Sequence, residues 1–578
     1  MDRQPGGRAL KEEYVMATTY SEALTKQKTE GQYMTPDWVV DLMLDEAGFK
    51  GPATLSMKVI EPCFGDGAFL SAIFERMFEE GNKEGMDTEE IVDAILHNIY
   101  GVEKDPALYA AAIERLDKIL EDHGARPVDW SSSFYNEDIY NVFDGAHGMF
   151  DLCIGNPPYI RVHHMSPEWR EVIRQFHVFD IGNAYTAFYV FGFHMLNENG
   201  RLVYISPNGF MRNSTDHVLR DFILRKGLLK KIYDFRSSKI FPGVSACVCI
   251  CSLDRNLHRE SPLSVQYSEY DSEQEISSVR LNLSDMREKF PDGHPWNLGE
   301  EHEMSFVKDN RDSSLHLGNY VESQSGIATI RDNIYIFSVY EDEDVSVPYY
   351  GVHTQPRKTV YLKNKDGQVW PIESDILHRC IKESRFMGTY DNRYILFPYS
   401  PETDGMTYTP EGDLRVMRYV PMKEETFTAD YPLACAYLES YRATLAERTK
   451  MSGQAWFLFG RSQGVANSCF RKLVFKHIMN RESVAIQPFI VDEDVVVTNG
   501  FFTTVLPEMV IRRPQEEGSE VQFYDEARAD ALLTEVATIL QSDEFARYCA
   551  LIGKNKSGGY IEITSKMVKG FGVSSIEL

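Results

Sequence analysis

The sequence predicts an α/β fold with a largely parallel sheet in its first half and a mixed α+β domain after it. Between about residues 31 and 255, apolar strand-like runs alternate with helical stretches, a pattern typical of βαβ units. The first run is followed by a turn with two glycines, and a later run ends in two prolines. From about residue 310, aromatic, glycine and β-branched residues mix with short helical stretches.

Six apolar runs of the first half are the strand candidates. They cover residues 57–62, 98–103, 150–155, 200–206, 230–235 and 246–253. Residues 161–183 are interpreted as a long connection, and the polar residues 253–300 as the end of the first domain and a linker. In the second half, the clearest helix is predicted over residues 431–449.

These boundaries predict three regions: a polar N-terminal leader over residues 1–30, a first domain over 31–300 and a second over 310–578. A length of 578 residues agrees with two or more domains. The sequence contains no run of eighteen apolar residues, so no transmembrane helix is predicted. The N-terminus lacks the apolar core of a signal peptide. We therefore expect no contact with a membrane.

The cysteines and the charge bear on the compartment and on the partners. Nine cysteines without a CxxC pair predict a reduced, cytoplasmic protein. Cys247, Cys249 and Cys251 share one strand face, which favours buried thiols over a metal site, so no metal is expected. A net charge of -27 argues against a nucleic-acid partner, but DNA binding requires Lys and Arg on one face only.

The strongest chemical signal is the run Asn156-Pro157-Pro158-Tyr159 at the end of an apolar strand. The prolines fix the backbone and remove two N–H donors. The Asn156 side chain and the Pro157 carbonyl are left as rigid acceptors at a sheet edge, where ligands bind in open α/β sheets. Two acceptors can hold both hydrogens of an amino group, and Tyr159 offers a ring for stacking on a base.

At this point the sequence resembles the gamma-order, Taq-type adenine DNA methyltransferases. The resemblance covers roughly residues 25–570, closely in the first half and more loosely in the second. It implies a Rossmann-like S-adenosylmethionine domain followed by a C-terminal target recognition domain.

The resemblance also implies cofactor-binding residues. The glycine-rich loop after the first strand contains Glu61, Cys63, Gly65 and Gly67, and glycines let a backbone approach a ligand closely at a helix N-terminus. Glu61 is expected to hold the methionine amine, and Glu103 at the end of the next strand the ribose hydroxyls, with Asp105 as its competitor. The remaining expected cofactor contacts are Asp138, with Glu137 as its alternative, Ile139, Asn156, and Tyr33, Thr35 and Pro36 of the GQYMTP element.

Further positions are assigned by the same resemblance to the target base and to DNA. Phe241 is the candidate for a second ring that stacks on an extruded base. Three blocks of the second half resemble the recognition domain, and basic residues follow the last one. The expected DNA contacts are Arg461, Ser462, Gln463, Arg471, Lys472, Lys476, Lys554 and Lys556.

The resulting hypothesis is a site-specific enzyme that transfers a methyl group from S-adenosylmethionine to the N6 amino group of a flipped-out adenine in double-stranded DNA. An RNA or protein-glutamine amino-methyltransferase shares the NPPY motif and remains an alternative, as does a non-catalytic DNA-binding subunit. A fused nuclease is not expected, because only about 30 residues precede the GQYMTP element. A cognate restriction endonuclease, and the choice between monomer and dimer, stay open.

Overall fold

The computed structural model describes most of the chain in two compact units. The described residues are 33–160, 167, 171, 183–226, 228–236, 238–241, 246–255, 264–339, 348–349, 357–382, 393–448, 454–512, 521–556 and 558–576. The first unit comprises Met1–Met304 with Lys554–Gly559, and the second comprises Ser305–Gly553 with Tyr560–Leu578. The leader expected over residues 1–30 and most of the connection expected over 161–183 lie outside the described residues.

The first unit alternates strands and helices. Its strands are β1 (Val59–Glu61), β2 (Ile99–Val102), β3 (Phe134–Tyr135), β4 (Phe150–Gly155), β5 (Leu196–Pro207), β6 (Leu229–Asp234), β7 (Val248–Asp254), β8 (Ser264–Asp271) and β9 (Gln274–Asn282). Its helices are α1 (Asp37–Ala47), α2 (Ala68–Glu84), α3 (Thr88–Asn98), α4 (Pro106–Asp122), α5 (Ile139–Val142), α6 (Ala184–Met195), α7 (His217–Lys226) and α8 (Leu283–Lys289), and α9 (Glu301–Arg311) crosses into the second unit.

These strands form one sheet in the order β3-β2-β1-β4-β5-β7-β6-β8-β9. The pairs from β3 to β5 are parallel, and β7 pairs antiparallel with both β5 and β6. The predicted α/β alternation and all six predicted strands are confirmed. Because β1 lies between β2 and β4, the connections run in opposite directions from β1, and the carboxyl ends of these three strands form a crevice for a ligand.

Both faces of this sheet are covered, as parallel sheets require. Along β4, Leu152 and Ile154 pack into one apolar cluster while Cys153 packs into the other. This alternation follows from the opposite directions of successive strand side chains. The buried helix α6 lies in the cluster with Cys153, and α1 and α2 supply much of the cluster with Leu152. The sheet edge is therefore a rigid support for the loops that follow its strands.

The interpretation of residues 253–300 as a linker is wrong, although the first unit does end close to this range, at Met304. Within this range, β8 and β9 form an antiparallel hairpin that extends the sheet, and the side chain of Trp296 is buried. Most residues of β9 are exposed. An edge hairpin with one solvated face contains many polar residues, which explains why its sequence resembles a loop.

The second unit contains several smaller sheets with helices packed on them. Its strands are β10 (Val321–Ser325), β11 (Ile336–Val339), β12 (Pro348–Tyr349), β13 (Arg357–Lys363), β14 (Val369–Glu373), β15 (Leu377–Lys382), β16 (Arg393–Leu396), β17 (Tyr399–Glu402), β18 (Thr407–Tyr408), β19 (Arg418–Pro421), β20 (Lys472–Val474), β21 (Ile478–Asn480), β22 (Phe489–Val491), β23 (Val495–Thr498), β24 (Phe501–Val505), β25 (Ile511–Arg512), β26 (Gln522–Tyr524) and β28 (Tyr560–Glu562). The strand β27 (Lys554–Lys556) comes before β28 in the chain and is grouped with the first unit. Its helices are α10 (Asp332–Tyr335), α11 (Glu424–Asp430), α12 (Pro432–Ser440), α13 (Arg442–Ala446), α14 (Glu526–Leu540), α15 (Asp543–Ile552) and α16 (Ser565–Lys569).

The largest sheet of this unit has the order β12-β13-β11-β16-β15-β23, with β14 paired to β13, and a second sheet has the order β10-β24-β20-β22. The mixed α and β character expected here is confirmed. The single helix predicted over residues 431–449 is instead two helices, α12 and α13, which meet at Tyr441. Among the described helices of the whole chain, none is long and apolar enough to cross a lipid bilayer.

Candidate functional site

The carboxyl ends of β1, β2 and β4 bring the predicted motifs together. The amide of Gly65 in the loop after β1 donates to Glu103 Oε2 after β2, at 2.9 Å. The Cys63 thiol in the same loop donates to the carbonyl of Asn156 after β4, at 3.4 Å. A Cβ built on Gly155 would lie 3.4 Å from Glu61 Cγ. The glycine loop, the acidic strand end and the NPPY segment therefore form one site.

Backbone conformation favours glycine at both loop positions, and close packing gives a second reason at Gly67. Gly65 and Gly67 have φ angles of +56° and +81°, a left-handed conformation that glycine adopts without strain. A Cβ at Gly67 would also approach Ala112 Cβ of α4 to 3.1 Å. The loop then turns directly into α2, which begins at Ala68. The start of α2 therefore lies beside the loop, where backbone amides can approach a ligand.

Glu103 is held in place by two backbone amides. Gly65 donates to its Oε2, and Asp105 donates to its Oε1 at 2.8 Å. Burial raises the pKa of this carboxyl, and the two amide hydrogen bonds oppose that effect. Asp105 caps α4 by accepting from Ala107 and Leu108. Because Asp105 acts as a helix cap, Glu103 is the better candidate for a ligand contact.

Glu61 is the most unusual group of the site. Its side chain is 2% exposed, and among the described residues its Oε2 has no hydrogen-bond partner. Burial raises its pKa well above the ordinary value, and the negative charges of Asp66 and Glu103 add to this effect. The Leu70 amide opposes this rise through a hydrogen bond to the carboxyl, but a buried carboxyl oxygen without a partner remains unfavourable. A cationic ligand would relieve both the desolvation and the repulsion.

The two ends of the Asn156 side-chain amide differ in their hydrogen bonding. Its Nδ2 donates to the Tyr33 carbonyl at 3.0 Å and lies 3.3 Å from Thr35 Oγ1. Its Oδ1 is buried and has no hydrogen-bond partner within the described part of the chain. The neighbouring Pro157 is buried and Pro158 is half-buried. The side chain thus offers an unused acceptor at the end of β4, next to the glycine loop.

Three aromatic rings lie beside this acceptor. The Tyr159 and Phe241 ring centroids are 6.3 Å apart, and the Tyr33 ring lies 5.2 Å from Tyr159 and 5.8 Å from Phe241. The Tyr159 hydroxyl is buried without a hydrogen-bond partner among the described residues, and burial raises its pKa well above the ordinary value. The structure therefore brings together the two rings that the sequence singles out, with Tyr33 as a third.

The segment before β4 reaches the same site through Asn136, whose side chain donates to the Glu103 carbonyl at 2.8 Å. Asp138 is half-buried at the start of α5, and Ile139 is buried. Glu137 is exposed and accepts from the Asn141 side chain at 3.0 Å. This arrangement favours Asp138 over Glu137 as the polar group that faces a ligand. Pro36 directly precedes α1.

The expected DNA-contact residues of the second half differ in accessibility. Arg461, Ser462, Gln463 and Lys476 are exposed, whereas Arg471 is half-buried and forms an ion pair with Asp530. Lys472 is fully buried, so the expectation that it contacts phosphate is wrong for this conformation: its Nζ donates to the carbonyls of Ser468 and Val495. Lys554 is exposed and Lys556 half-buried.

Sequence reasoning missed Asp66. This residue lies between the two loop glycines, and its carboxylate raises the pKa of Glu61. Arg115 of α4 lies 3.7 Å from it. The signal available in the sequence was an acidic residue inside a glycine turn that already follows a glutamate. Among the described residues, no cluster of three or more His, Cys, Asp or Glu side chains could hold a metal ion.

This chain is similar to known proteins both in sequence and in structure. Residues 76–241 match the family described as Eco57I restriction-modification methylase. The chain is 25% identical to the type II methyltransferase M.BstVI of Geobacillus stearothermophilus, over 54% of this chain and 60% of that relative. It is 24% identical to the type II methyltransferase M.BanIII of Aneurinibacillus aneurinilyticus, over 80% of this chain and 79% of that relative.

Among solved structures, the type IIL restriction-modification enzyme MmeI in complex with DNA matches 97% of this chain and 67% of its own chain, with a TM-score of 0.55 and 13% identity. At this identity the match shows a shared fold alone. The chain spans less than two thirds of M.BstVI. The chain is therefore similar in sequence to type II methyltransferases, and it shares a fold with the restriction-modification enzyme MmeI.

Proposed function

We propose that the chain is a DNA methyltransferase that uses S-adenosylmethionine to methylate the N6 amino group of a flipped-out adenine at a specific site. The observation that carries the proposal is the Asn156 side chain, whose buried Oδ1 lacks a partner among the described residues beside the rings of Tyr159 and Phe241. An acceptor next to aromatic rings fits an amino group on a planar base.

The acidic part of the site fits the cofactor. S-adenosylmethionine supplies a methyl group on a positively charged sulfur and also carries an ammonium group. Glu61 would bind the ammonium group, because the buried Oε2 of its carboxyl has no hydrogen-bond partner among the described residues. Glu103, positioned by two backbone amides, would accept from the ribose hydroxyls. Cys63, Gly65, Gly67, Asp138 and Ile139 would line the rest of this Rossmann-like site, and Tyr33, Thr35 and Pro36 its entrance.

The NPPY segment would orient the nucleophile. Extrusion of a base from a duplex costs a few kcal/mol, and stacking on Tyr159 and Phe241 would offset part of that cost. Asn156 Oδ1 and the Pro157 carbonyl would each accept one hydrogen of the amino group. The nitrogen lone pair would then point at the methyl group. Neither a covalent enzyme intermediate nor a dedicated base is required, because the proton can leave to solvent.

The second unit would act as the target recognition domain. Arg461, Ser462, Gln463 and Lys476 are exposed and available for contacts with phosphates or base edges. Lys554 and Lys556, which are grouped with the first unit, remain candidates for phosphate contacts. The family matched by residues 76–241 is described as a restriction-modification methylase, which makes a cognate restriction endonuclease a partner to test for.

The deciding experiment measures transfer of tritium from labelled cofactor to duplex DNA by Asn156→Ala. We expect transfer to fall by about 100-fold or more, while cofactor binding survives because Glu61 and Glu103 are unchanged. The matched control is Asn98→Ala, which removes an amide that donates to the Leu55 and Ala94 carbonyls away from the site. Full activity of Asn156→Ala would refute the mechanism.

Nucleoside analysis of the labelled product separates the candidate reactions. We expect N6-methyladenine. N4-methylcytosine would refute the choice of base, and label in RNA or protein instead of DNA would favour the alternative substrates. A protein that binds the cofactor and DNA without transfer would instead be the non-catalytic subunit.

A further inference from the structure

The side-chain amide of Asn156 is fixed by two oxygen atoms from a segment more than a hundred residues earlier in the sequence. Its Nδ2 lies 3.0 Å from the Tyr33 carbonyl oxygen and 3.3 Å from Thr35 Oγ1. We call these two oxygen atoms the amide clamp. Together they account for both hydrogens of the Asn156 amide nitrogen.

The clamp determines which end of the amide faces the site. A backbone carbonyl has no proton and can only accept a hydrogen bond. If the Asn156 amide were flipped, its Oδ1 would face the Tyr33 carbonyl at hydrogen-bond distance, and the two oxygens would repel each other. The clamp therefore leaves Oδ1 as the end that faces away from it, and Oδ1 has no other partner among the described residues.

The clamp itself is held by helix packing. The Pro36 carbonyl accepts from Val39 and Val40 in the first turn of α1, and both valine side chains are buried in the apolar cluster of the first unit. Thr35 is 8% exposed. The positions of the two clamp oxygens are therefore set by the fold, independently of a bound ligand.

We propose, on the basis of the proposed function, that Thr35 is a positioning residue of the transfer reaction, acting together with the Tyr33 carbonyl. The clamp makes Asn156 a hydrogen-bond acceptor toward the substrate and excludes it as a donor. The group that receives the methyl must accordingly donate a hydrogen to Oδ1, as an exocyclic amino group does. Thr35 also borders the entrance of the proposed cofactor site, but the role proposed here is exerted on the substrate through Asn156.

The first test is Thr35→Val, which keeps the shape of the side chain and removes the clamp oxygen. We expect kcat to fall by about 10-fold or more, since a small misplacement of the nucleophile is costly, with the KM for the cofactor changed by less than about threefold. Thr35→Ser retains the oxygen and should stay within about threefold of the unaltered protein.

The matched control is Thr54→Val. Thr54 is also buried, and its hydroxyl donates to the Gly51 carbonyl away from the site. Equal losses of kcat in Thr35→Val and Thr54→Val would overturn the proposal in favour of a general loss of stability. A raised cofactor KM with unchanged kcat in Thr35→Val would also overturn it, because that result indicates a cofactor contact.

A second arm uses pH. In Asn156→Asp the carboxylate would face the Tyr33 carbonyl and would need a proton to donate to it. We expect the kcat of this variant to fall as the pH rises above the pKa of the new carboxyl, whereas the amide of the unaltered protein does not titrate. An Asn156→Asp variant whose activity follows the pH profile of the unaltered protein would overturn the clamp.

The outcomes separate the clamp from the proposed function. If the unaltered protein methylates DNA but Thr35→Val is fully active, the clamp fails and the function stands. If it methylates the cytosine amino group and Thr35→Val is impaired, the clamp stands and only the choice of base fails. If it transfers no methyl group to any duplex, the proposed function fails, and the role assigned to Thr35 fails with it.

Discussion

At the scale of single residues, the site is organised by charge. Glu61, Asp66 and Glu103 place three carboxyl groups around one loop, and the second and third raise the pKa of the first. Burial is the larger cause of that shift. Such an arrangement is unfavourable in the absence of a cation, and perturbed carboxyls of this kind concentrate at functional sites. The charges thus indicate a cationic ligand independently of the NPPY motif.

Cofactor affinity should therefore depend on pH through Glu61. A carboxyl with a raised pKa is neutral below that pKa and charged above it, and a cation binds the charged form more tightly. We expect the affinity for S-adenosylmethionine to rise with pH above the ordinary range of a carboxyl group, as Glu61 loses its proton. Glu61→Gln should bind about 10- to 100-fold more weakly, as expected for a lost charge-assisted hydrogen bond, and should show less pH dependence.

Calorimetric titration at several pH values would measure both effects. The pKa of Glu103 is also raised by burial, so the pH dependence that remains in Glu61→Gln reports on Glu103. Glu121→Gln is a suitable control, since Glu121 lies on the exposed face of α4 in an ion pair with Lys118. Unchanged affinity in Glu61→Gln at every pH would remove Glu61 from the cofactor site.

At the scale of secondary-structure elements, β20 contains a charged residue where its position in the sheet requires an apolar one. Lys472 is fully buried between β22 and β24, and burial lowers its pKa to about 7. The carbonyls of Ser468 and Val495 accept from its ammonium group. These hydrogen bonds therefore connect backbone segments around the strand, while burial of the ammonium charge has an electrostatic cost.

This cost predicts a pH dependence of stability. The folded-state pKa lies below the unfolded value, so the unfolded chain holds the extra proton between about pH 7 and 10.5, and stability rises with pH across that window. We expect the Tm of the second unit to increase from about pH 7 to pH 9, and Lys472→Met to lose this increase. Lys476→Met, at an exposed position beyond the same strand, should retain it. An identical slope in all three proteins would contradict the pKa of Lys472.

The elements also show what the sequence can predict. Six of the seven strands from β1 to β7 were predictable because strands buried on both faces are nearly continuous apolar runs, and the turns after β1 and β4 carry glycines and prolines with specific backbone roles. The exception is β3, which has only two residues. The β8–β9 hairpin was not predictable, because one solvated face makes an edge strand look like a loop. The burial of Lys472 was not predictable either, since only the pairing of β20 with β22 and β24 places it inside the protein.

At the site, the sequence predicted which residues come together but not how they are partnered. Glu61 is the last residue of β1, Glu103 directly follows β2 and Asn156 directly follows β4. The rule for carboxyl ends of parallel strands brings them to one edge. The contact between Asn156 and the segment of Tyr33 and Thr35 spans 123 and 121 residues. No periodicity or motif spacing encodes such a contact, because it depends on how α1 packs on the sheet.

At the scale of the whole molecule, the net negative charge conflicts with DNA as the proposed partner only if the charge is treated as evenly spread over the surface. The chain carries 87 acidic and 60 basic residues. Lys118 and Lys83 form ion pairs with acidic neighbours on their own helices, and Arg442 pairs with Glu439 of the preceding helix. No ion pair of Arg461 occurs among the described residues. A small number of accessible cations on one unit is sufficient for local phosphate contacts.

The two units should separate the two parts of the function. The first unit has its own apolar clusters on both faces of its sheet, and the second unit has clusters of its own. A fragment that ends at Met304 contains the glycine loop, Glu103 and the NPPY segment. We expect it to bind S-adenosylmethionine within about threefold of the full chain, because cofactor binding uses only these elements.

The same fragment should lose specific DNA binding, by about 1,000-fold or more relative to the full chain. Calorimetry and DNA titrations at fixed salt measure the two quantities. The fragment with Glu61→Gln serves as a control for folded protein that does not bind cofactor. A fragment that methylates the same DNA site as the full chain at comparable efficiency would show that the second unit is not the recognition domain.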